Sequence, residues 1–343
     1  MKAMVLNSIV DLEKQLNPLQ LAELPMPDPK ENEVLIKISV CGVCHTELDE
    51  IEGRTPPAYF PIILGHQVVG EIVELSPTVD SLRIGDRVGV AWIFSSCGNC
   101  KFCQSGLENL CDAFVATGRD VHGGYAEYMT AHHQFVHPIP VNLSDMDAAP
   151  LLCAGAIGYR SLKLTGLENG QNLGLTGFGA SAHLVMKMVR YEFPDTKVFV
   201  FARNEKERVF AKELGAVWSG DTTDMAPEKL NAIIDTTPVW KPIVMALENL
   251  EKGGRLIINS IRKESKDLNY LQQLSYPDHL WMEKEIKSVA NVTREDVRAF
   301  LSLASKIPIN PFVQEYALED ANKALLELKQ GKIKGAKVLK INQ

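Results

Sequence analysis

No apolar run in this chain approaches the ~20 residues that a membrane span requires, and there is no block of like charge, no internal repeat and no low-complexity tract. The opening MKAMVLNSIV holds too short an apolar run for a signal peptide and soon meets Asp11, Glu13 and Lys14. These absences predict a soluble, cytoplasmic protein that does not engage a membrane. The 36 Lys and Arg against 43 Asp and Glu leave a net charge of -7, interspersed along the chain. That balance offers no electrostatic footprint for nucleic acid or an anionic surface, so small molecules or protein partners remain. At 343 residues the chain suits two domains, each large enough to bury its own core without staples. A fold built purely on metal clips is not expected.

Seven cysteines are present, and in a reducing compartment an uneven, clustered set points to metal or catalysis rather than to disulfides. The densest cluster, CGNCKFCQSGLENLC, holds Cys97, Cys100, Cys103 and Cys111. Four thiolates at this spacing in one glycine-containing loop can close tetrahedrally on zinc, and a filled sulfur shell has no position for substrate, which predicts a structural site. An iron–sulfur cluster is the rival.

Cys41, Cys44 and Cys153 remain. The first two stand in CGVCHTELDE; FPIILGHQVVGEIVEL then places His66 at a turn between extended segments, and AAPLLCAGAIGYRSLK sets Cys153 at the expected start of a helix. Three ligands with one open coordination position are what a catalytic zinc needs, and two cysteines with one histidine form a recognised set. Cys153, His66 and one of the Cys41/Cys44 pair can supply it. Chelation through both sulfurs of that pair would instead close the shell and extinguish Lewis-acid chemistry.

The second half alternates strand and helix. NGQNLGLTGFGASAHLVMKMVRY reads as a strand, a turn at Gly177, Phe178 and Gly179, and a helix opened by Ala180, Ser181 and Ala182, a GxGxxA pattern in the context a dinucleotide-binding turn requires. KVFVF is the next strand, NEKERVFAKELGAV a helix, LNAIIDTT a strand, WKPIVMALENLEKGG a helix ended by glycines, and RLIINS a strand. The fold class is α/β with a doubly wound parallel sheet. Where an NAD-preferring turn ends its second strand in an acid, this chain has Ala202, Arg203 and Asn204. A small residue makes room for a 2′-phosphate and a guanidinium pairs with it, so NADP is favoured over NAD. The alternative is a solvated Arg203, with Glu205 or Glu207 reaching the ribose.

The succession GVCHTE, GH, GDRV, the four-cysteine lobe, GGYAEY, CAG and the glycine fingerprint resembles the zinc-dependent alcohol dehydrogenases of the medium-chain dehydrogenase/reductase superfamily over essentially the whole chain. The resemblance implies a GroES-like β-rich catalytic domain at 1–154 and 292–343, with the structural zinc lobe at 95–113, and a Rossmann cofactor domain at 155–291. The active site would lie in the cleft between them. It implies two zinc ions per chain and makes Cys44 the first catalytic ligand, because His45, Thr46 and Glu47 follow it directly; Cys41 becomes a bystander.

On the same basis Glu47 supports the ring of His66, Thr46 takes the alcohol proton, His45 faces the cofactor, and Trp92 stands where relatives place a bulky substrate-pocket aromatic. That aromatic favours small or unbranched alcohols; a core tryptophan is the alternative. Two departures stand out: Asp49 where many relatives finish a proton relay with histidine, and Gln67 where the family has an acid. The lost acid removes a negative charge near the metal, which favours a lower pKa for a bound water or alcohol. The expected activity is alcohol oxidation or aldehyde reduction with NAD(P). A polyol or amino-alcohol dehydrogenase, or a silent redox-sensing or ligand-binding relative, is the alternative. The expected assembly is a homodimer or homotetramer formed through edges of the cofactor sheet.

Overall fold

The structure is a computed structural model that describes residues 1–309, 311–331 and 335–342. Residues 310, 332–334 and 343 lie outside the described residues. The chain divides into two compact units. The first gathers Met1–Cys153, Thr293–Ser305 and the C-terminal segment, and the second comprises Ala154–Val292 and Lys306–Ile309.

The first unit is built on the strand Glu33–Val43, whose EVLIKISVCGV is rich in β-branched residues and buried along most of its length. It pairs antiparallel with Val68–Leu75 on one side, and with Tyr128–His132 and Ala336–Lys340 on the other, within a seven-stranded sheet. Lys2–Leu6 forms a separate antiparallel sheet between Leu19–Glu23 and Ile62–Ile63. Ile36, Ile38, Leu64, Val68, Ile72, Tyr125 and Leu339 lie in the core shared by these strands.

Two junctions in this unit carry candidate metal donors. Glu33–Val43 hands over at Cys44 to the helix His45–Ile51. Ile62–Ile63 leads through Gly65 to His66 before Val68–Leu75 begins. Gly65 is required there twice over: its φ is 99°, and a Cβ would stand 2.5 Å from the Tyr125 ring and 2.9 Å from the Cys41 sulfur.

The second unit is a six-stranded, all-parallel sheet in the order Trp218–Gly220, Lys197–Phe201, Asn172–Thr176, Leu230–Asp235, Leu250–Ile258 and Glu285–Ser288. The first strand in sequence is central and the order reverses beside it, which is the doubly wound Rossmann arrangement. One expectation fails. The helix Lys241–Asn249 is not ended by glycines: Leu250 is already extended, with ψ 140°. The buried side chain of Leu250 starts the strand at once. Gly253 and Gly254 fall inside that strand, where its register against Leu230–Asp235 shifts and Gly253 takes φ 69°. Among the described residues no helix is long and apolar enough to cross a membrane.

Candidate metal centre and cofactor turn

Cys44 sits where a strand stops and a helix starts, and the helix uses it. Its Sγ accepts the Thr46 amide at 3.3 Å, while its own amide donates to Glu47 Oε2 at 2.8 Å, so cysteine and acid form a capping box. The other carboxylate oxygen, Glu47 Oε1, lies 2.6 Å from Nδ1 of His66, both side chains being buried. The imidazole is thereby oriented with Nε2 toward Cys44, at 3.7 Å from its sulfur. Cys153 comes from a π-helical turn, Leu151–Gly155, that precedes the helix Ala156–Thr165. The donor atoms of Cys44, His66 and Cys153 all lie within 4.8 Å of one another.

Cys41 is not in that group. Its thiol is buried beside Gly65 and Gly124 and donates toward the Gly42 carbonyl at 3.6 Å. Two thiols and one imidazole are donors suited to zinc, and three of them leave a coordination position open. The same packing shapes their acidity. The Cys153 thiol, then burial, pushes Cys44 well up. Burial alone would lower His66, but the negative groups of Glu47 and Cys44 outweigh it and raise its pKa. A dication here takes the place of protons.

Cys97, Cys100, Cys103 and Cys111 also bring their sulfurs within 4.8 Å of one another. Cys100 caps the short helix Lys101–Gln104, accepting the Cys103 amide, and Cys97 accepts the Cys100 amide. The amides of Asn99 and Cys100 hold the Cys97 thiol down to about 6. The lobe is tied to its own unit by the buried Glu108, whose Oε1 accepts the Arg294 amide at 2.7 Å and its Nε at 3.0 Å. Four sulfurs, with no further donor grouped with them among the described residues, form a closed, structural kind of site.

Around Cys44 the other expected residues separate. Thr46 is half-buried and His45 exposed. Asp49 is buried and held by Arg54, Nε to Oδ1 at 2.5 Å, so its carboxylate serves the C-terminal turn of the helix. Gln67 lies over Gly42, where a Cβ would come within 2.6 Å of its oxygen, and its buried Nε2 has no partner among the described residues. The Trp92 ring lies 5.4 Å from that of Phe114, tilted at 44° to it, with the Arg119 guanidinium 5.1 Å from the Trp92 ring centroid.

Sequence reasoning missed Glu50. It is buried with both carboxyl oxygens unpartnered among the described residues, and burial, then the charge of Glu47, pushes its pKa well up. The available signal was its i, i+3 relation to Glu47 on a single helical turn.

In the second unit, Gly177 takes φ 78°, and a Cβ there would strike Thr236 Oγ1 at 2.7 Å. Phe178 is buried edge-on to Phe210. A Cβ on Gly179 would meet nothing within 4 Å. The helix Ala180–Glu192 that Gly179 opens has no side-chain cap, so its N-terminus suits a pyrophosphate. Ala182 is buried. Ser181 turns its hydroxyl inward, donating to the Ala154 carbonyl at 3.0 Å and accepting from Asn259 at 3.2 Å, so only its backbone can serve a phosphate.

Beyond Lys197–Phe201, Ala202 is buried, Arg203 is exposed, and Asn204 caps the helix Glu205–Glu213, whose first turn holds Glu205 and Glu207. A second cation, unforeseen from the sequence, folds back onto this strand end: Arg208 Nη1 donates to the carbonyls of Ala202 at 2.8 Å and Arg203 at 3.0 Å.

The family model of the alcohol dehydrogenase GroES-like domain matches residues 30–141. The chain is 41% identical over 329 residues to a probable alcohol dehydrogenase of Mycobacterium tuberculosis, covering 94% of this chain and 93% of that protein. It is 32% identical to an alcohol dehydrogenase of Geobacillus stearothermophilus in an alignment covering 100% of both. Among solved structures it is similar to a CAD from Helicobacter pylori complexed with NADP(H), with TM-score 0.84, 25% identity and 99% and 97% of the two chains covered. Likeness at this level, sustained across nearly the full length of its relatives, decides membership: the chain belongs to the zinc-dependent alcohol dehydrogenases of the medium-chain dehydrogenase/reductase superfamily.

Proposed function

We propose that this NAD(P)-linked alcohol dehydrogenase works with NADP(H) on small or unbranched alcohols and aldehydes, holds two zinc ions per chain, and acts as a homo-oligomer in a reducing, cytoplasmic setting. The observation that carries the reading is the group of three donors, the buried His66 and the half-buried Cys44 and Cys153, which does not recruit Cys41. Zinc held by these three supplies Lewis acidity toward the oxygen of an alcohol or aldehyde, and a nicotinamide supplies the hydride exchange.

The chain's own residues do the rest. Glu47 fixes the His66 ring and leaves Nε2 facing the two thiols. With Asp49 held by Arg54, proton transfer is assigned to Thr46, and His45 is assigned to the cofactor. The glycine turn and the uncapped helix after it receive the pyrophosphate, and Arg203 the 2′-phosphate. The NADP(H) in the similar Helicobacter pylori structure supports that choice. Residues 155–291 are assigned to the cofactor, and 1–154 with 292–343 to catalysis and the four-cysteine lobe.

Elemental analysis of enzyme purified without chelator is expected to find two zinc ions per chain, because seven ligand residues divide into groups of four and three. One zinc or none in fully active protein overturns the two-site reading.

The homo-oligomer is supported by the edge of the parallel sheet. Glu285–Ser288 is exposed at every position, and Tyr276 at 62%, Trp281 at 54% and Ile286 at 41% expose large apolar surface on or near it. An unpaired edge flanked in this way is a template for a second copy. Light scattering at micromolar concentration is expected to give a multiple of 38.0 kDa; a monomeric mass refutes the assembly.

A further inference from the structure

The segment that leaves the four-cysteine lobe carries an arginine outside both groups of metal donors. Val115–Ala116 pairs antiparallel with Ile93–Ser95. Just beyond, the Thr117 amide donates to the Trp92 carbonyl at 2.7 Å and the Thr117 hydroxyl to the Ala91 carbonyl at 3.1 Å. The backbone of Trp92 is therefore fixed by its neighbour strand. Its indole ring and its partner Phe114 are each partly exposed, and the buried Nε1 of Trp92 has no hydrogen-bond partner among the described residues, so no polar contact holds the ring's edge.

Over these two rings lies one guanidinium. The Arg119 Cζ stands 5.1 Å from the Trp92 centroid and 5.2 Å from that of Phe114. Asp120 grips it in a two-point fork, Nε to Oδ1 at 2.9 Å and Nη2 to Oδ2 at 2.6 Å. Asp120 is itself anchored, accepting the Ala116 amide at 2.8 Å. A planar cation held by such a fork stacks on aromatic faces, and at 22% side-chain exposure it is partly shielded from water.

Two alternatives fit less well. An arginine that recognises an anionic substrate needs a free fork, and this one is occupied by Asp120. A surface ion pair that does nothing would not be centred over two rings. The segment also runs beside the metal group: a Cβ on Gly118, next to Arg119, would stand 2.9 Å from the backbone nitrogen of Gly65, the neighbour of His66.

We propose that Arg119, gripped by Asp120, is a positioning residue for substrate selection, holding the Trp92 and Phe114 rings as a rigid wall that excludes branched carbon chains. The inference rests on the reading that Trp92 borders the substrate. A wall of this kind must resist a ring's rotation about two torsions, which backbone hydrogen bonds to residue 92 do not restrain and a stacked guanidinium does.

The test compares kcat/KM for 1-butanol and 3-methyl-2-butanol in the holoenzyme and in Arg119→Ala, Arg119→Lys, Asp120→Asn and Trp92→Ala. Arg119→Ala is expected to lower the preference for the linear alcohol by about tenfold, the scale of one or two methyl groups in a shaped pocket, while 1-butanol itself changes by less than about twofold. Arg119→Lys, which keeps the charge and loses the fork, falls between, and Asp120→Asn shifts the ratio in the same direction by less. Without substrate, the Trp92 emission, isolated by difference from Trp92→Phe, becomes more accessible to acrylamide in Arg119→Ala. Equal loss on both alcohols with unchanged quenching makes Arg119 merely structural and overturns the proposal. If Trp92→Ala shifts the ratio and neither Arg119→Ala nor Asp120→Asn does, the clamp is wrong and the pocket reading stands; if Trp92→Ala leaves the ratio unchanged, the pocket reading itself is wrong.

Discussion

Cys44→Ser is expected to lower turnover on the order of a thousandfold or more, since Lewis-acid stabilisation is worth several kcal/mol and each 1.36 kcal/mol is a factor of ten. Cys41→Ser, three residues away, leaves turnover within about twofold, because its sulfur stands outside the three-donor group. The contrast comes from position. Cys44 has lost its place in the sheet and turned its sulfur to the helix N-terminus beside His66. Cys41 is still within the strand, its sulfur packed beside Gly65 and Gly124. The second substitution does cost stability, about 1 kcal/mol or somewhat more, because it buries a hydroxyl whose neighbouring carbonyl is already distant at 3.6 Å. Steady-state kinetics with metal analysis of both variants decides the matter. Loss of the metal and of turnover in Cys44→Ser alone supports the open site; equal losses in both variants restore a closed four-ligand shell.

Arg203→Ala is expected to shift the ratio of catalytic efficiencies with NADPH and NADH by about tenfold to a hundredfold toward NADH, the loss of one charge-assisted phosphate pair of ~1.5–3 kcal/mol. Wild type is expected to prefer NADPH. The end of Lys197–Phe201 has no acid to accept the ribose hydroxyls and presents an exposed guanidinium instead. The loss is incomplete because Arg208 remains, tethered to the carbonyls of Ala202 and Arg203, and keeps positive charge at the same strand end. Measuring both cofactors on one aldehyde, in wild type and variant, separates the possibilities. A wild type that prefers NADH, or a ratio the substitution leaves unmoved, removes Arg203 from the phosphate site.

What could be read without the fold was what depends on near neighbours. The four cysteines of the lobe span a single loop, so their spacing alone sets how closely they can gather. The glycine turn was legible because strand, turn and helix are consecutive, and because a φ of 78° at Gly177 is a demand that only residue type meets. The alternation of strands and helices implied a parallel sheet, since parallel neighbours need a crossover between them.

What required the fold was every decision made by distant packing. C-x2-C left two sulfurs equivalent; the end of the strand at Val43 separated them, one into the core and one onto the helix cap. His66 and Cys153 meet Cys44 only because the junctions that carry them fold together across a long stretch of chain. That Asp49 is held by Arg54, and that the Ser181 hydroxyl turns to Ala154, are likewise contacts only the fold creates. Glu50 was missed although its i, i+3 spacing from Glu47 was on view, because an acid in a sequence is solvated by default and only the tertiary structure decides which one is buried. The sequence by itself determined which chemistry the chain could perform, because donor types and local turns are properties of residues and their neighbours. Which donors act, and what holds them, was decided by the tertiary structure, because burial and long-range contact belong to no residue alone.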